Sequence, residues 1–337
     1  MRVSYEEMKS TIYQAFLKAG LTDEQAEICA TTHTNSSLDG VYSHGLNRVP
    51  RFISFIEQGL IHPQAKMGIT RAKGAVENYD GNLGIGVIHA HEAMARAVQL
   101  AKQHGIGLVS LRNTTHWMRG GTYALQAASE GMIGMCWINT ESVMPAWGAK
   151  SPSIGNNPFC LGIPRDAGPV IIDMAMSQYS YGKLDVYRLA GESLPFAGGY
   201  DAAGNLTHDP QEILRTQRLL PTGMWKGSGL SLALDMAAAA MAAGNSGSNM
   251  DQENFWNCTA CCQIFIAMDP YLFADKAEVQ AMWDERIQYL HDATPIQEGG
   301  SVRYPGEGSQ ATRAKQIREG ILVDDGVWAE VQALSQA

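Results

Sequence analysis

Apolar residues recur at helical spacing through the first sixty positions of the chain. Met8, Ile12 and Phe16 stand four residues apart, and Ser4 with Glu7 forms a capping-box pattern before them. Comparable patterns predict two further helices, one over residues 22–38 with Thr22 and Gln25 as its capping box, and one over residues 49–58. The polar segment GVYSHGLNR is therefore predicted to connect the second helix to the third.

Beyond residue 60 the pattern changes to short apolar runs bounded by turn residues, which are typical of buried strands. These runs predict strands over residues 105–113, 131–139, 158–164, 169–176 and 263–270. Helical patterns predict helices over residues 87–104, 121–130, 230–243 and 276–291, and two short helices in the C-terminal tail. Residues 192–210 are predicted as a long polar loop. The chain is thus expected to adopt an α/β fold with a helical N-terminal segment.

Charge and composition narrow the classes of partner. The 337 residues carry a net charge of −9, which argues against binding to nucleic acid or to an anionic membrane surface. No apolar run reaches the roughly 18–20 residues of a membrane span. The first residues also lack the basic-then-apolar layout of a signal peptide. We therefore expect a cytoplasmic protein that acts on a small-molecule substrate.

The cysteines do not form a recognisable metal-binding pattern. They are Cys29, Cys136, Cys160, Cys258, Cys261 and Cys262. The C-x-x-C-C group at the end of this series lacks the second Cys or His pair that a zinc site needs. We therefore predict reduced thiols in the core or at strand edges, and no metal site.

Three glycine-rich segments come close to a dinucleotide fingerprint but do not match it. GNLGIG, GIGLVS and GSGLSL each lack a glycine that G-x-G-x-x-G requires. A Walker loop is absent as well, because Lys226 precedes its glycines instead of following them. A regular Rossmann or P-loop site is therefore excluded.

The segment GMWKGSG, residues 223–229, is nevertheless a candidate anion site. Small residues that open a helix can expose backbone N–H groups at the positive end of the helix dipole. Lys226 adds a full positive charge beside that end. The alternative interpretation is a tight turn with a solvated lysine.

Ser43, His44 and Arg48 form the most reactive combination in the sequence. Histidine is suited to proton transfer near neutral pH, and arginine offers a two-pronged donor to a carboxylate. If the third helix begins near Asn47, these three side chains can converge on one small anion. A serine hydrolase is disfavoured because the chain has no G-x-S-x-G elbow.

A second histidine, His116, follows a predicted strand within RNTTHWMRGG. Strand ends are where α/β folds commonly place their sites. Together with His44 and Arg48, it indicates acid–base chemistry on a small carboxylate.

Nine segments in order along the chain resemble one known family: GVYSHGLNR, NTTHWMRGG, MPAWGAK, IGNNP, VIIDMAMS, MWKGSGLSLALDM, QIFIAMD, PGE and GILVDDGVW. They are similar to the malate/L-lactate dehydrogenase family, also described as L-sulfolactate dehydrogenase-like. The resemblance implies a mixed sheet in a non-Rossmann NAD-binding domain, residues 141–307. It also implies a discontinuous helical substrate domain, residues 1–140 with 308–337, and a homodimer.

The resemblance further implies that NADH, or alternatively NADPH, reduces a 2-keto acid (or a related imine) to the 2-hydroxy acid. The family's proton donor falls on His44, with Arg48 holding the substrate carboxylate. Ser43, His116 and Arg119 would contact substrate oxygens, although some relatives use the histidine that matches His116 as the acid or base. The cofactor segments fall on Val170, Ile171, Ile172, Asp173, Met174 and Ala175, on Trp225 and Lys226, and on Pro305, Gly306 and Glu307.

The substrate is narrowed by three of these segments, GVYSHGLNR, HWMRGG and AWGAK. Their closer resemblance within the family implies that the substrate is 2,3-diketo-L-gulonate or a similar sugar-derived 2-keto acid, reduced at C2. A malate, lactate or cyclic-imine reductase of the same family is the alternative. From a different class, the chain could be a non-catalytic binder of sugar acids or nucleotides. An acidic Asp173 near the adenosine ribose would favour NADH.

Overall fold

The structure, a computed structural model, describes residues 1–336. Its helices are α1 (Tyr5–Lys18), α2 (Asp23–Leu38), α3 (Val49–Glu57), α4 (Gly86–His104), α5 (Gly121–Ser129), α6 (Tyr181–Ala190), α7 (Pro210–Thr216), α8 (Trp225–Ala242), α9 (Gly247–Gln252), α10 (Lys276–His291), α11 (Glu307–Glu319) and α12 (Asp325–Gln336). Its strands are β1 (Arg2–Val3), β2 (Gly68–Lys73), β3 (Val76–Asp80), β4 (Ile106–Thr114), β5 (Ile133–Ile138), β6 (Met144–Pro145), β7 (Pro152–Ile154), β8 (Phe159–Ile163), β9 (Val170–Met174), β10 (Gly199–Tyr200), β11 (Leu206–Thr207), β12 (Cys261–Met268) and β13 (Ile321–Leu322). Two 3₁₀ turns, Tyr42–His44 and Leu46–Arg48, connect α2 to α3.

Seven strands form one mixed sheet in the order β2-β3-β4-β12-β5-β8-β9. Strands β3 and β4 run parallel, whereas the other neighbours are antiparallel. The apolar run over residues 264–268 of the central strand β12 follows from its position in the sheet. Phe265 packs in the cluster with α4 and α5, and Ile264 and Ile266 pack in the cluster with α8, so both faces of the strand are covered. The predicted α/β class and mixed sheet are confirmed, and β9 lies at one edge of the sheet.

The two ends of the chain meet in a helical body beside the sheet. Strand β1 pairs antiparallel with β13, with Arg2 opposite Leu322. The core of this body combines α1, α2 and α3 with Trp328 and Val331 of α12. The predicted division into domains at residues 140 and 308 stays a prediction. The seven-stranded sheet takes strands from both sides of residue 140.

The predicted caps of the first two helices are present. The Ser4 hydroxyl accepts a hydrogen bond from the Glu7 N–H at 3.1 Å. At the start of α2, Thr22 and Gln25 form both bonds of a capping box. Because such caps satisfy backbone N–H groups that the helix itself cannot pair, they fix where each helix begins.

Helix α3 begins at Val49, as the pattern over residues 49–58 predicts, and Asn47 lies in the 3₁₀ turn before it. Two other local features differ from the predictions. The prediction of a plain polar loop over residues 192–210 is wrong, since β10 and β11 pair there. The Asp201 side chain accepts the Asn205 N–H at 2.8 Å, which closes the hairpin. Hairpin β2–β3 was missed because β2 is exposed along its whole length and carries no apolar alternation.

None of the helices in residues 1–336 is both long and apolar enough to cross a lipid bilayer.

Candidate active site

Two histidines face each other between the helical body and the sheet. The ring centroids of His44 and His116 lie 5.7 Å apart, and their planes differ by 20°, so the rings are stacked. His44 ends the first 3₁₀ turn after α2, and His116 follows β4. The structure thus brings together the two histidines that the sequence singled out.

The turn that carries His44 is pressed against α2 at Gly45. A Cβ atom on Gly45 would lie 2.1 Å from the Ser37 hydroxyl oxygen, so glycine is required for this approach. The next N–H, of Leu46, donates to the same Ser37 oxygen at 2.8 Å. These contacts hold the turn at a defined distance from α2 and so fix where His44 lies.

The protonation state of His116 follows from its hydrogen bond. The Met118 N–H donates to Nδ1 of His116 at 3.0 Å, so Nδ1 carries no proton and a neutral ring is protonated on Nε2. Burial, followed by the positive charge of Arg48, holds the pKa of His116 well below 6.5. His116 is therefore a neutral hydrogen-bond donor in the ligand-free protein.

His44 is less constrained than His116. Its Nδ1 lies 3.0 Å from the Ser43 hydroxyl oxygen, which can donate to it or accept from it. Burial, together with the charges of Arg48 and Arg119, lowers the pKa of His44 to about 4, and Asp173 opposes this shift. An anion bound nearby would add to the effect of Asp173 and favour the imidazolium form.

Arg48 ends the second 3₁₀ turn and has no carboxylate within ion-pair distance among residues 1–336. Its side chain is half-buried, and burial lowers the pKa of its guanidinium, as does the neighbouring Arg51. A buried charge without a partner is unfavourable unless a ligand compensates it. The Arg48 guanidinium, next to both histidines, is therefore a ready site for a small carboxylate.

Arg119, expected to contact substrate, is already paired on two sides. Its Nη1 forms an ion pair with Asp39 Oδ2, and its Nε lies 3.5 Å from Asp173 Oδ2. The side chain of Arg119 is only 11% exposed. The expected contact of Arg119 with substrate stays a prediction, but the guanidinium is not free in the way that Arg48 is.

The three predicted cofactor segments lie around edge strand β9. The Ile171 N–H donates to the Pro305 carbonyl at 2.9 Å, which joins the start of β9 to the PGE segment. Past the end of β9, the Thr222 N–H donates to the Met176 carbonyl at 2.8 Å, just before α8 begins. Asp173 and Met174 between these contacts are exposed. The segments therefore surround one open strip of the sheet edge, as a shared ligand would require.

One part of the anion-site prediction at the start of α8 is wrong. The N–H groups of Lys226, Gly227 and Ser228 already donate to the carbonyls of Gly223, Thr222 and Met224. The chain turns tightly before the helix, with Met224 at a φ of 60°, so the turn itself satisfies these donors. The part of the prediction that stays open is the exposed Lys226 ammonium, which lies 5.9 Å from the Trp225 ring centre.

The Glu307 carboxylate makes its hydrogen bonds to nearby residues of the protein. Its Oε2 accepts the Tyr304 N–H at 3.1 Å and lies 3.2 Å from His291 Nε2. Gly306 before it takes a left-handed backbone, with φ of 95°, and forms the start of α11. These contacts shape the PGE turn that Ile171 touches.

Sequence reasoning missed one wall of the site, which Glu141 forms. This buried carboxylate accepts the Asn257 N–H at 2.9 Å and the Cys258 N–H at 3.0 Å. Both residues have a left-handed backbone, with φ of 63° and 55°, which is costly without such support. Asn257 also accepts a hydrogen bond from Arg51 of α3. The segment therefore ties the sheet to the helix that follows Arg48.

Helix α6 was also missed, although it touches the His44 turn. A Cβ atom on Gly182 would lie 3.2 Å from Ser43 Cβ. The Tyr181 hydroxyl donates to the Val143 carbonyl at 3.1 Å, and burial raises its pKa to about 12. The start of α6 thus spans from the His44 turn to the loop after β5.

The six cysteines are free thiols, and all but Cys258 are buried, which confirms their predicted place in the core. Across residues 1–336, no group of three His, Cys, Asp or Glu side chains is arranged to hold a metal ion.

Comparisons with known proteins agree with this architecture. Residues 3–332 match the family model described as malate/L-lactate dehydrogenase. A 2,3-diketo-L-gulonate reductase from Klebsiella pneumoniae (strain 342) is 44% identical over 335 residues, which cover 99% of this chain and 100% of that protein. Malate dehydrogenase from Entamoeba histolytica has a similar structure, with a TM-score of 0.94 at 28% identity, over 100% of this chain and 97% of that one.

Sulfolactate dehydrogenase from Methanocaldococcus jannaschii gives a TM-score of 0.88 at 28% identity, again over 100% of this chain and 97% of that one. The similarity therefore spans both the helical body and the sheet. The chain belongs to the malate/L-lactate dehydrogenase family of oxidoreductases.

Proposed function

We propose that this protein uses NADH to reduce the C2 keto group of 2,3-diketo-L-gulonate, or of a similar sugar-derived 2-keto acid, to the 2-hydroxy acid. The observation that carries the proposal is the unpaired Arg48 guanidinium beside the stacked His44 and His116 rings. Such a site suits a small acid whose neighbouring carbonyl needs a proton. The choice of substrate rests on the relatives named 2,3-diketo-L-gulonate reductase.

Arg48 binds the substrate carboxylate through paired N–H donors, which places C2 and its oxygen beside His44. The bound carboxylate also raises the pKa of His44 from its ligand-free value of about 4. Binding of substrate therefore favours uptake of the proton that the reaction consumes. Arg48 both orients the acid and prepares the proton donor.

When bound, NADH supplies the hydride that forms the new C–H bond at C2. His44 gives its proton to the C2 oxygen as the carbonyl π bond breaks, and it is left as neutral imidazole. His116, which is neutral and protonated on Nε2, donates a hydrogen bond to a substrate oxygen. Ser43, within 3.0 Å of His44 Nδ1, orients the His44 ring.

The residues around β9 fit a dinucleotide. The strip from Val170 to Ala175 is flanked by the PGE turn at one end and by the start of α8 at the other. Lys226 is exposed and has no carboxylate partner within residues 1–336, so its ammonium can meet a phosphate. Trp225, which is 65% exposed, offers an aromatic face beside it. We propose NADH as the preferred cofactor and NADPH as the alternative.

We also propose that the protein forms a homodimer in the cytoplasm. Helix α8 leaves an apolar face in solvent, with Leu232 51% and Met236 63% exposed. Exposed apolar faces of this kind commonly mark interfaces between protein chains. Light scattering at the mass of a single chain would contradict the dimer.

A substrate panel tests the proposed activity. NADH or NADPH absorbance is followed with 2,3-diketo-L-gulonate, pyruvate, oxaloacetate and a cyclic imino acid. We expect the highest kcat/KM with the sugar-derived diketo acid and NADH. Turnover of pyruvate, oxaloacetate or the imine alone would favour the malate, lactate or imine reductase alternative. No turnover with any of them, together with tight binding of the sugar acid, would favour the non-catalytic binder.

A further inference from the structure

The segments that carry the two histidines are joined by one buried ion pair. Asp39 lies five residues before His44, and Arg119 lies three residues after His116. Arg119 Nη1 pairs with Asp39 Oδ2, and the two side chains are 11% and 7% exposed. The pair therefore bridges the same two loops that meet in the histidine stack.

Asp39 forms a second ion pair, with a different arginine. Arg313 of α11 contacts the other carboxylate oxygen, with its Nε 2.6 Å from Asp39 Oδ1. Arg313 also donates to the Asn35 side chain of α2 at 3.3 Å. Since each oxygen of Asp39 faces a different arginine, the carboxylate cannot rotate freely. It presents a fixed partner to Arg119.

Arg119 continues the network to the sheet edge. Its Nε lies 3.5 Å from Asp173 Oδ2, and the Cys160 thiol donates to Asp173 Oδ1 at 3.3 Å. Arg119 thus lies between one carboxylate from the helical body and one from β9. From the His116 loop, Arg119 therefore contacts Asp39, which precedes the His44 turn, and Asp173 of β9.

Stacking alone does not explain why the histidines stay together. No hydrogen bond joins the two rings within residues 1–336, and a ring contact of this kind contributes little free energy. A hydrogen-bonded ion pair fixes the distance and orientation of its two groups, and removing one partner of a buried pair is strongly destabilising.

We propose that Asp39 and Arg119 are positioning residues, whose ion pair holds the two histidine loops in register for proton transfer and hydrogen bonding to one substrate. The inference rests on the proposed function for its catalytic consequence. It gives Arg119 the role of holding the two loops in place, and not that of contacting the substrate. The pair acts through the histidines and touches no reacting atom.

Three variants test the assignment: Arg119→Gln, Asp39→Asn and the double variant. A misplacement of about 1 Å in a catalytic group can cost about 10²-fold in rate. We therefore expect Arg119→Gln to lower kcat roughly 10–100-fold, with KM for the keto acid changed less than about threefold. The loss in the double variant should be clearly smaller than the product of the two single losses, because both changes break the shared Asp39–Arg119 pair, although each also removes one further ion pair, to Arg313 or to Asp173.

Two further variants separate positioning from general loss of stability. Arg119→Lys keeps the charge but cannot reach both carboxylates as a planar guanidinium does, so it should recover part of kcat. Arg96→Gln breaks a comparable ion pair, 2.6 Å long, with the buried Glu77 on β3. It should leave kcat unchanged.

Ring signals of His44 and His116 in NMR spectra give a readout that does not depend on turnover. We expect both to shift in Arg119→Gln and in Asp39→Asn, and to stay in place in Arg96→Gln. Unchanged ring signals would overturn the proposal, as would a more than tenfold rise in KM at constant kcat or multiplicative losses in the double variant. If the wild type reduces no keto acid, the proposed function fails, but the ring signals still decide whether the pair positions the loops.

Discussion

Two arginines flank the stacked histidines, and their surroundings differ. Arg48 has no carboxylate partner in the described chain, whereas Arg119 contacts both Asp39 and Asp173. Both guanidinium groups contribute to lowering the pKa of His44. The same residue type is thus left available for a ligand on one side and built into the protein on the other.

The difference shows that neighbours, and not residue type, decide the role of a charged side chain. A guanidinium without a partner gains most from an incoming anion, because the anion relieves its desolvation. A guanidinium already between two carboxylates gains little from a third. The comparison therefore assigns substrate affinity to Arg48 and geometry to Arg119.

The largest expected effect concerns the histidine between the two arginines. Replacing the proposed proton donor in His44→Asn should lower kcat by about 10²–10⁴-fold, while cofactor binding stays unchanged. Steady-state kinetics and a fluorescence titration with NADH measure both. His104→Asn, an exposed position at the end of α4, is the matched control. A greater loss in His116→Asn than in His44→Asn would give the acid role to His116.

The second-largest expected effect is the pH dependence of kcat/KM for reduction. Burial, Arg48 and Arg119 lower the pKa of His44 to about 4, so the imidazolium needed for reduction becomes scarcer as the pH rises. We expect kcat/KM for reduction to fall about tenfold per pH unit above this pKa, or roughly 100-fold from pH 6 to pH 8. The reverse oxidation needs neutral His44 and should be nearly flat over that range. Equal profiles in the two directions would contradict this assignment.

Substitution of the unpaired arginine should mainly weaken substrate binding. Arg48→Gln removes charge-assisted hydrogen bonds that are worth about 1.5–3 kcal/mol each, so KM should rise roughly 10–100-fold. The control is Arg51→Gln, three residues further on, whose guanidinium already donates to Asn257. It should change KM less than about threefold. Similar KM values for the two variants would remove Arg48 from the carboxylate site.

The smallest effect is on stability, and the free energy of unfolding should fall at only one of the two arginines. Arg119→Gln leaves Asp39 and Asp173 with fewer partners and should lower the free energy of unfolding by about 1–3 kcal/mol. Arg48→Gln removes a partly buried charge without a partner and should not lower it. Urea titrations of both variants measure the difference. A loss at Arg48 as large as at Arg119 would mean that Arg48 has an interaction inside the protein.

Much of the fold could be predicted because periodicity and caps are local signals. Helix α10 and the Thr22 capping box coincide with their predictions. Hairpin β2–β3 was not predictable in this way, because β2 is exposed and buries too little apolar surface to leave a pattern, and the buried residue of β3 is the charged Glu77. Hairpin β10–β11 depends on a single Asp201 to Asn205 turn within a polar stretch.

The site was predictable where its residues are close in sequence, as His44 and Arg48 are. The ion pair between Asp39 and Arg119 spans 80 positions, and no local pattern indicates which acid meets which base. The two hydrogen bonds to Glu141 come from residues 116 and 117 positions away. In the sequence, the only indication of this tightly turned segment was its asparagines. Asn254 and Asn257 both have a left-handed backbone, which asparagine tolerates better than most residues.

The pairing of β1 with β13 has a consequence for the order in which the molecule is completed. The sheet closes with β12, which ends at Met268, whereas the core around the His44 turn needs Trp328 and Val331. During synthesis the edge strand β9, which carries one of the predicted cofactor segments, can pair before the ribosome has made the last helix. The turn that carries His44, the proposed proton donor, is completed later, because contacts across more than 300 positions must form first. We therefore expect the nascent chain to stay inactive until α12 has left the ribosome.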